Sequence, residues 1–339
     1  MRLLPLLLTL ALSAPAAAQT PDTHAASGAF KQPTPADRYR QVSTRDNLVH
    51  PPGYATVPLG TFGDVVESGT GETPVILLAG LGPGWRVFDT FLEAHAKDYH
   101  FYSVTLAGYG GSSAPPMPPE GTSFGEGTWL RGARRALGGL IEERSIERPI
   151  VVAFYSEAAR VAVRFALEHP DQVGGLLLLS ASARFPLPEG TPRAAGLDGF
   201  AEQWFKTVTE IMWPSGMWQV SSYANDIALS EKTWWDALQP SLPTAIRYTV
   251  ESWADDLVPD LEKLTVPTVV LVPGFDEAFM SSVSGTVVRE RFQAGWEAAL
   301  DAGAPLDYSI VPDARLLLWE DQPESVSKAL ARVVESSAR

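Results

Sequence analysis

The chain has no cysteine, which excludes disulfides, thiolate metal ligands and a lipid anchor built on a processed cysteine. Histidine is nearly as scarce: five in 339 residues, at positions 24, 50, 95, 100 and 169. None of these stands among carboxylates at metal-ligand spacing, so neither a metal nor another cofactor is expected. The glycine run "GLGPG" (80–84) lacks the Gly-x-Gly-x-x-Gly spacing of a dinucleotide loop and reads as a turn. Basic residues are outnumbered, 26 Lys+Arg against 40 Asp+Glu. That balance argues against nucleic acid or an anionic membrane surface as a partner. Apolar runs are short everywhere, below the ~20 residues that a membrane span needs.

The sequence opens with "MRLLPLLLTLALSAPAAAQT": a basic residue, a short apolar core and a small-residue Ala16-Ala17-Ala18 site. This pattern predicts a cleavable signal peptide over 1–18 and a mature chain beginning at Gln19. The expected location is the periplasm or the medium of a bacterium. Residues 19–52 are polar and proline-containing and read as a flexible lead-in.

From Thr73 onward two kinds of segment alternate. "PVILLAGL", "HFYSVTLAGYGG", "PIVVAF", "GGLLLLSA", "PTVVLVPG" and "LDYSIVP" are short runs that read as strands, the first suited to burial on both faces and "GGLLLLSA" another buried one. Between them stand amphipathic stretches such as "TWLRGARRALGGLIEER", where Leu130, Ala133, Leu137 and Leu140 share one helical face. "EAARVAVRFALEHP" is another, as are "VVRERFQAGWEAALDAG" and a last helix from Pro323. The alternation predicts an α/β fold, a mostly parallel sheet with helices on both faces. Ligands in such sheets sit beyond the carboxyl ends of the strands. Residues 184–258 break the rhythm and carry six of the ten tryptophans, Trp204, Trp213, Trp218, Trp234, Trp235 and Trp253. They are expected to form a helical cap inserted into a core made of 53–183 and 259–339. The rings could line an apolar pocket, hold the cap together, or both.

From about Tyr54 to Val334 the chain resembles the α/β-hydrolase superfamily, its esterase- and lipase-like members in particular. "LLAGLGPGW" (77–85) is similar to the turn that supplies an oxyanion-hole amide, and "LAGYGGSSAPP" (106–116) to the turn after the next strand. "SEAARVAVRFALEHPDQVGGLLLLSA" resembles the helix and strand that follow the nucleophile. "VPTVVLVPGFDEAF" (266–279) matches the acid-bearing strand end, and "VPDARLLLWEDQPESV" (311–326) the segment that carries the histidine. The resemblance implies a nucleophile at Ser156, an acid at Asp276, and an oxyanion or pocket region at Leu81, Gly82, Tyr155 and Glu157. The histidine position, seven residues before Pro323, falls on Leu316.

A serine hydroxyl needs a neighbouring base at neutral pH, and the acid's role is to hold that base. Removing the histidine from a triad costs roughly 2 × 10⁶ in kcat. Phe154 and Ala158 also stand where the corner of such a nucleophile takes glycine; Phe154 is expected to relax the corner or push its neighbours apart. Glu157 reads as a helix-start residue favoured by the dipole, Asp276 as a cap on local amides, and Tyr155 as packing or bonding near the pocket. Arg315 could pair with Asp276 or Asp313, and Asp226, Asp255 and Asp256 read as solvated surface charges. Two functions follow. One is an exported esterase-like pseudoenzyme that keeps an apolar pocket for a small ester-like or acyl ligand. The other is a carboxylic ester hydrolase using Ser156 with an unconventional base.

Overall fold

The computed structural model describes residues 55–207 and 219–338. The expected signal peptide and lead-in, with Trp213, Trp218, His24 and His50, lie outside the described residues. Seven strands form one sheet: β1 Phe62–Ser68, β2 Thr73–Ala79, β3 Tyr99–Leu106, β4 Ile150–Phe154, β5 Gly175–Leu179, β6 Thr268–Pro273 and β7 Asp307–Val311. Their order is β1-β3-β2-β4-β5-β6-β7. Only β1 is antiparallel, on β3; the other neighbours pair in parallel. The short apolar runs are thus parallel strands, and β4, β5 and β6 are buried along their whole length, as helix-covered strands must be. Strand β1 has no continuous apolar run, because one of its faces meets solvent.

The helices between the strands are α1 Asp89–His95, α2 Thr128–Glu143 and α3 Tyr155–Glu168. Chain order reverses between β2 and β4: β3 lies to one side of β2, and β4 to the other. That reversal opens a crevice at the carboxyl ends of β2 and β4. The residues leaving those two strands, Gly80-Leu81 and Tyr155-Ser156, therefore face each other across it.

Between β5 and β6 the chain adds α4 Arg193–Thr207, α5 Ile227–Ala237 and α6 Leu242–Ala254. They build a separate apolar cluster from Phe185, Leu197, Phe200, Leu242, Ile246 and Trp253, with Trp204, Trp234 and Trp235 packed against it. Phe185 stacks on Trp253 at 4.0 Å, and Trp204 lies parallel to the same indole at 5.9 Å. Trp204, Trp234, Trp235 and Trp253 thus hold these helices together, one of the two compatible uses open to them.

A buried ion pair ties this insertion to the core. Arg247 donates to Glu251 at 2.5 Å, and the Glu251 carboxylate also accepts from the backbone amides of Trp129 and Leu130. Those amides begin α2, where a negative charge suits the helix dipole. The reading of Asp255 and Asp256 as solvated charges is corrected: Asp255 accepts a forked bond from Arg164, which also binds Asp260 at 2.6 Å. Asp256 pairs with Arg184 at 2.8 Å. Asp226 caps α5 through the amides of Ala228 and Leu229.

After β6 come α7 Glu277–Met280 and α8 Val283–Val288, then a π-helical turn Arg289–Gln293 that leads into α9 Ala294–Asp301. The sequence predicts one uninterrupted helix here. The widened turn inserts a residue into the helical register, which periodicity cannot reveal. Two helices close the chain, α10 Leu318–Asp321 and α11 Pro323–Ser337.

Candidate functional site

The corner between β4 and α3 is turned by Tyr155, with φ at +70°, a conformation costly for a side-chain-bearing residue outside a special turn. Ser156 is already in the first turn of α3 and is 1% exposed. Its Oγ lies 2.9 Å from Ser182 Oγ, and the Ser182 amide reaches it at 3.4 Å. The expectation that Phe154 disturbs the corner is corrected. Phe154 ends β4, with its ring edge-on to Phe88 and Trp319, so small Ala153 stands two residues before the corner. The approach from β2 requires glycine: a Cβ on Gly80 would lie 2.7 Å from the Phe154 carbonyl oxygen and 3.3 Å from Tyr155 Cβ.

The Glu157 carboxylate turns inward and is buried. It accepts from the Leu81 amide at 3.4 Å. Its other oxygen accepts from Thr249 Oγ1 at 3.4 Å. Leu81 and Glu157 are thus brought together, the amide of one bonded to the carboxyl group of the other. Gly82 is buried beside them, but it packs against the Ala237 backbone and its carbonyl accepts from Gly110. Burial raises the Glu157 pKa, opposed by its own amide, by the Arg291 charge and by the Leu81 amide.

Asp276 and Leu316 are not brought to Ser156 by any bond. Asp276 is exposed and caps α7, accepting from the Phe279 amide at 2.8 Å. Leu316 is buried, its amide donating to the Ser222 carbonyl and its carbonyl accepting from Ser180 Oγ. The suggested pairing of Arg315 with Asp276 or Asp313 is replaced by bonds to Asn225 Oδ1 and the Ser221 carbonyl. The described histidines are all engaged away from this corner: His95 with Ser327 Oγ, His100 with Glu67, and His169 against the Phe165 ring.

A model of the "Alpha/beta hydrolase family" matches residues 75–329, a span holding β3 to β7, most of β2 and the whole corner. The chain belongs to the alpha/beta hydrolase family. Among solved structures it is similar to an esterase from Thermogutta terrifontis, at 20% identity and a TM-score of 0.61, covering 84% of this chain and 99% of that one. It is also similar to a hydrolase from Oleispira antarctica, at 12% identity and a TM-score of 0.62, covering 83% and 99%. A 2-hydroxy-6-oxononadienedioate/2-hydroxy-6-oxononatrienedioate hydrolase of Cupriavidus pinatubonensis is 32% identical over 124 residues, 35% of this chain. That match spans 40% of the relative's own length.

Two residues of this alpha/beta hydrolase site were not picked out in the sequence. Arg291, in the π-helical turn, donates to Tyr155 Oη at 2.7 Å. Its guanidinium lies 5.5–6.0 Å from the ring centres of Tyr155, Phe185, Trp253 and Phe292. Tyr223 is fully buried, and its hydroxyl has no hydrogen-bond partner among the described residues. "RERFQ" reads as part of an ordinary amphipathic helix, and Tyr223 sits in an unpatterned loop. Neither carries a motif.

Glu157 makes stability depend on pH in a defined sense. Its folded pKa stands above the ordinary 4.5. The group therefore favours the folded state below about 4.5, and that contribution disappears as pH rises through the folded value. Glu157→Gln removes the ionisable group and keeps an acceptor for the Leu81 amide. Its melting temperature should exceed that of the parent most at neutral pH, with the gap closing toward about pH 4.5. Thermal melts across that range check it; a gap independent of pH contradicts the burial of an ionising group here.

Proposed function

We propose that this chain is a non-hydrolytic member of its family, exported as a mature protein from Gln19, that binds a small molecule beneath the helices inserted between β5 and β6. One observation carries the reading: the amide of Leu81, in the turn that the family resemblance assigns to the oxyanion hole, is bonded to the buried Glu157 carboxyl group. Oxyanion stabilisation is usually the largest electrostatic term in acyl transfer. A carboxyl oxygen already bonded to that amide takes the donor that an oxyanion would need.

The nucleophile fares no better. Tyr155 holds the strained corner, and the Ser156 hydroxyl shares the interior with Ser182 and the Arg160 guanidinium, which reaches Ser182 Oγ at 3.3 Å. A cation beside two hydroxyls supplies no base. Burial lowers the Arg160 pKa, but only to about 10, so it remains charged at neutral pH. A leucine occupies the position at which the family resemblance expects an imidazole. These features support binding over turnover, and the small-molecule hydrolases to which the chain is similar support a small ligand.

The test uses exported protein, its N-terminus read as Gln19 by mass. Hydrolysis of p-nitrophenyl butyrate should match that of Ser156→Ala, both at the buffer rate. Turnover in the parent that is lost in Ser156→Ala would establish the alternative, a serine ester hydrolase with an unconventional base.

A further inference from the structure

The chain leaves β5 toward the inserted helices through residues 180–184 and returns from α6 through 255–257. A lid swings on short segments of this kind, where a few residues absorb the change in backbone torsions. The outgoing segment has little freedom to turn. Ala181, Ser182 and Ala183 are buried, and the carbonyl of each accepts a bond from outside the segment. Ala181 accepts from Trp296 Nε1 at 2.8 Å, and Ser182 from Arg160. Ala183 accepts from Arg160 at 3.2 Å and from the Leu257 amide at 3.0 Å. That last bond ties the outgoing segment directly to the returning one.

Arg160 stands at the centre of this arrangement. It is fully buried, and its planar fork of donors reaches three separate stretches of chain. Besides the two outgoing carbonyls it bonds the Asp255 carbonyl on the returning segment at 3.3 Å. It also reaches Ser182 Oγ at 3.3 Å and the Ser156 carbonyl, on α3 itself, at 3.4 Å. One turn along α3, Arg164 forks onto the Asp255 carboxylate and donates to the Asp256 carbonyl at 3.0 Å. Arg184 pairs with Asp256 across the two segments at 2.8 Å. At the far side, α5 and α6 lie against the turns that leave β2 and β3, with Ala237 beside Gly82 and Thr244 beside Gly108. Swinging the helices away would strip the Ser182 and Ala183 carbonyls and the Arg160 guanidinium of their partners together. Buried polar groups left without bonds are what a folded chain avoids.

We propose that Arg160 and Arg164 clasp both ends of the insertion to α3, so that α4, α5 and α6 form a fixed roof rather than a swinging lid. The clasp concerns motion and does not rest on the absence of turnover. Ester hydrolysis would refute the non-hydrolytic reading and leave the clasp standing.

The Leu257 amide reports the hinge, because its bond to the Ala183 carbonyl breaks when the two segments part. Its hydrogen exchange is followed by nuclear magnetic resonance in the exported protein, beside the amides of Leu177 and Leu178 in β5. In the parent it should exchange within about tenfold of those sheet amides, since a clasped hinge opens only when the core does. Arg160→Met keeps an apolar side chain on α3 and removes every donor. It should speed Leu257 several-fold or more relative to the β5 amides, a ratio that a merely general loss of stability would not move. Arg164→Met should shift the ratio in the same direction, and it decides the matter if Arg160→Met does not fold. A parent Leu257 amide more than about tenfold faster than β5, or a ratio unchanged in the variants, would each overturn the proposal.

Discussion

Leu316→His is expected to leave ester hydrolysis at the rate of the parent. In a chain that lacked only its imidazole, restoring it would recover much of the roughly 2 × 10⁶ in kcat that the histidine supplies. Here three other parts are also out of place. The Ser156 hydroxyl is 1% exposed side-chain surface bonded to Ser182 rather than a group at the corner. The acid that would steady the new imidazole, Asp276, is exposed and caps α7. The Leu81 amide, which the family resemblance assigns to the oxyanion hole, is bonded to the Glu157 carboxyl group. A general base works only within hydrogen-bond reach of the proton it takes, and the backbone of residue 316 is pinned by Ser222 and Ser180. Kinetics with p-nitrophenyl butyrate decide it: a gain above about a hundredfold, near 2.7 kcal/mol of barrier, would show that the missing imidazole was the sole defect.

Glu251→Ala is expected to cause the largest loss of stability. It leaves Arg247, whose side chain is 6% exposed, without its carboxylate, and leaves the Trp129 and Leu130 amides without an acceptor. Breaking a buried pair by removing one partner costs about 3–5 kcal/mol, because the remaining charge stays desolvated. For a domain of this size that lowers the melting temperature by about 10 °C. Removing both charges should hurt less: Arg247→Met with Glu251→Leu leaves no orphaned ion, although the two amides still lose their acceptor. Urea unfolding of the single and double variants measures both values. A single variant within about 1 kcal/mol of the parent would contradict the role of this pair in joining α6 to α2.

How legible the molecule was depended on the range of the interactions involved. Strands β2 and β4 to β6 announce themselves because helices cover both their faces and leave no polar alternation. The glycine turn at Gly80 is legible for a related reason, since the backbone of Phe154 leaves no room for a Cβ. β1 escaped because half of it is wet. The position of the corner escaped too. Spacing back from Pro170 points to Ser156, whereas the fold strains Tyr155 and draws Ser156 into the helix. A one-residue choice of that kind is made by packing around Phe154, Phe88 and Trp319, which no local pattern encodes. Glu157 was read correctly as a residue of the first helical turn, but the direction of its carboxylate is set by Leu81 and Thr249, 76 and 92 residues away in sequence.

The most direct test is labelling of the mature protein with a fluorophosphonate, which reacts only with an activated serine. A hydroxyl bonded inside α3, with the Leu81 amide already held by the Glu157 carboxyl group, should remain unlabelled at neutral pH, and Ser156→Ala should give the same blank. Stoichiometric labelling that disappears in Ser156→Ala would show a reactive nucleophile at that residue and contradict the account.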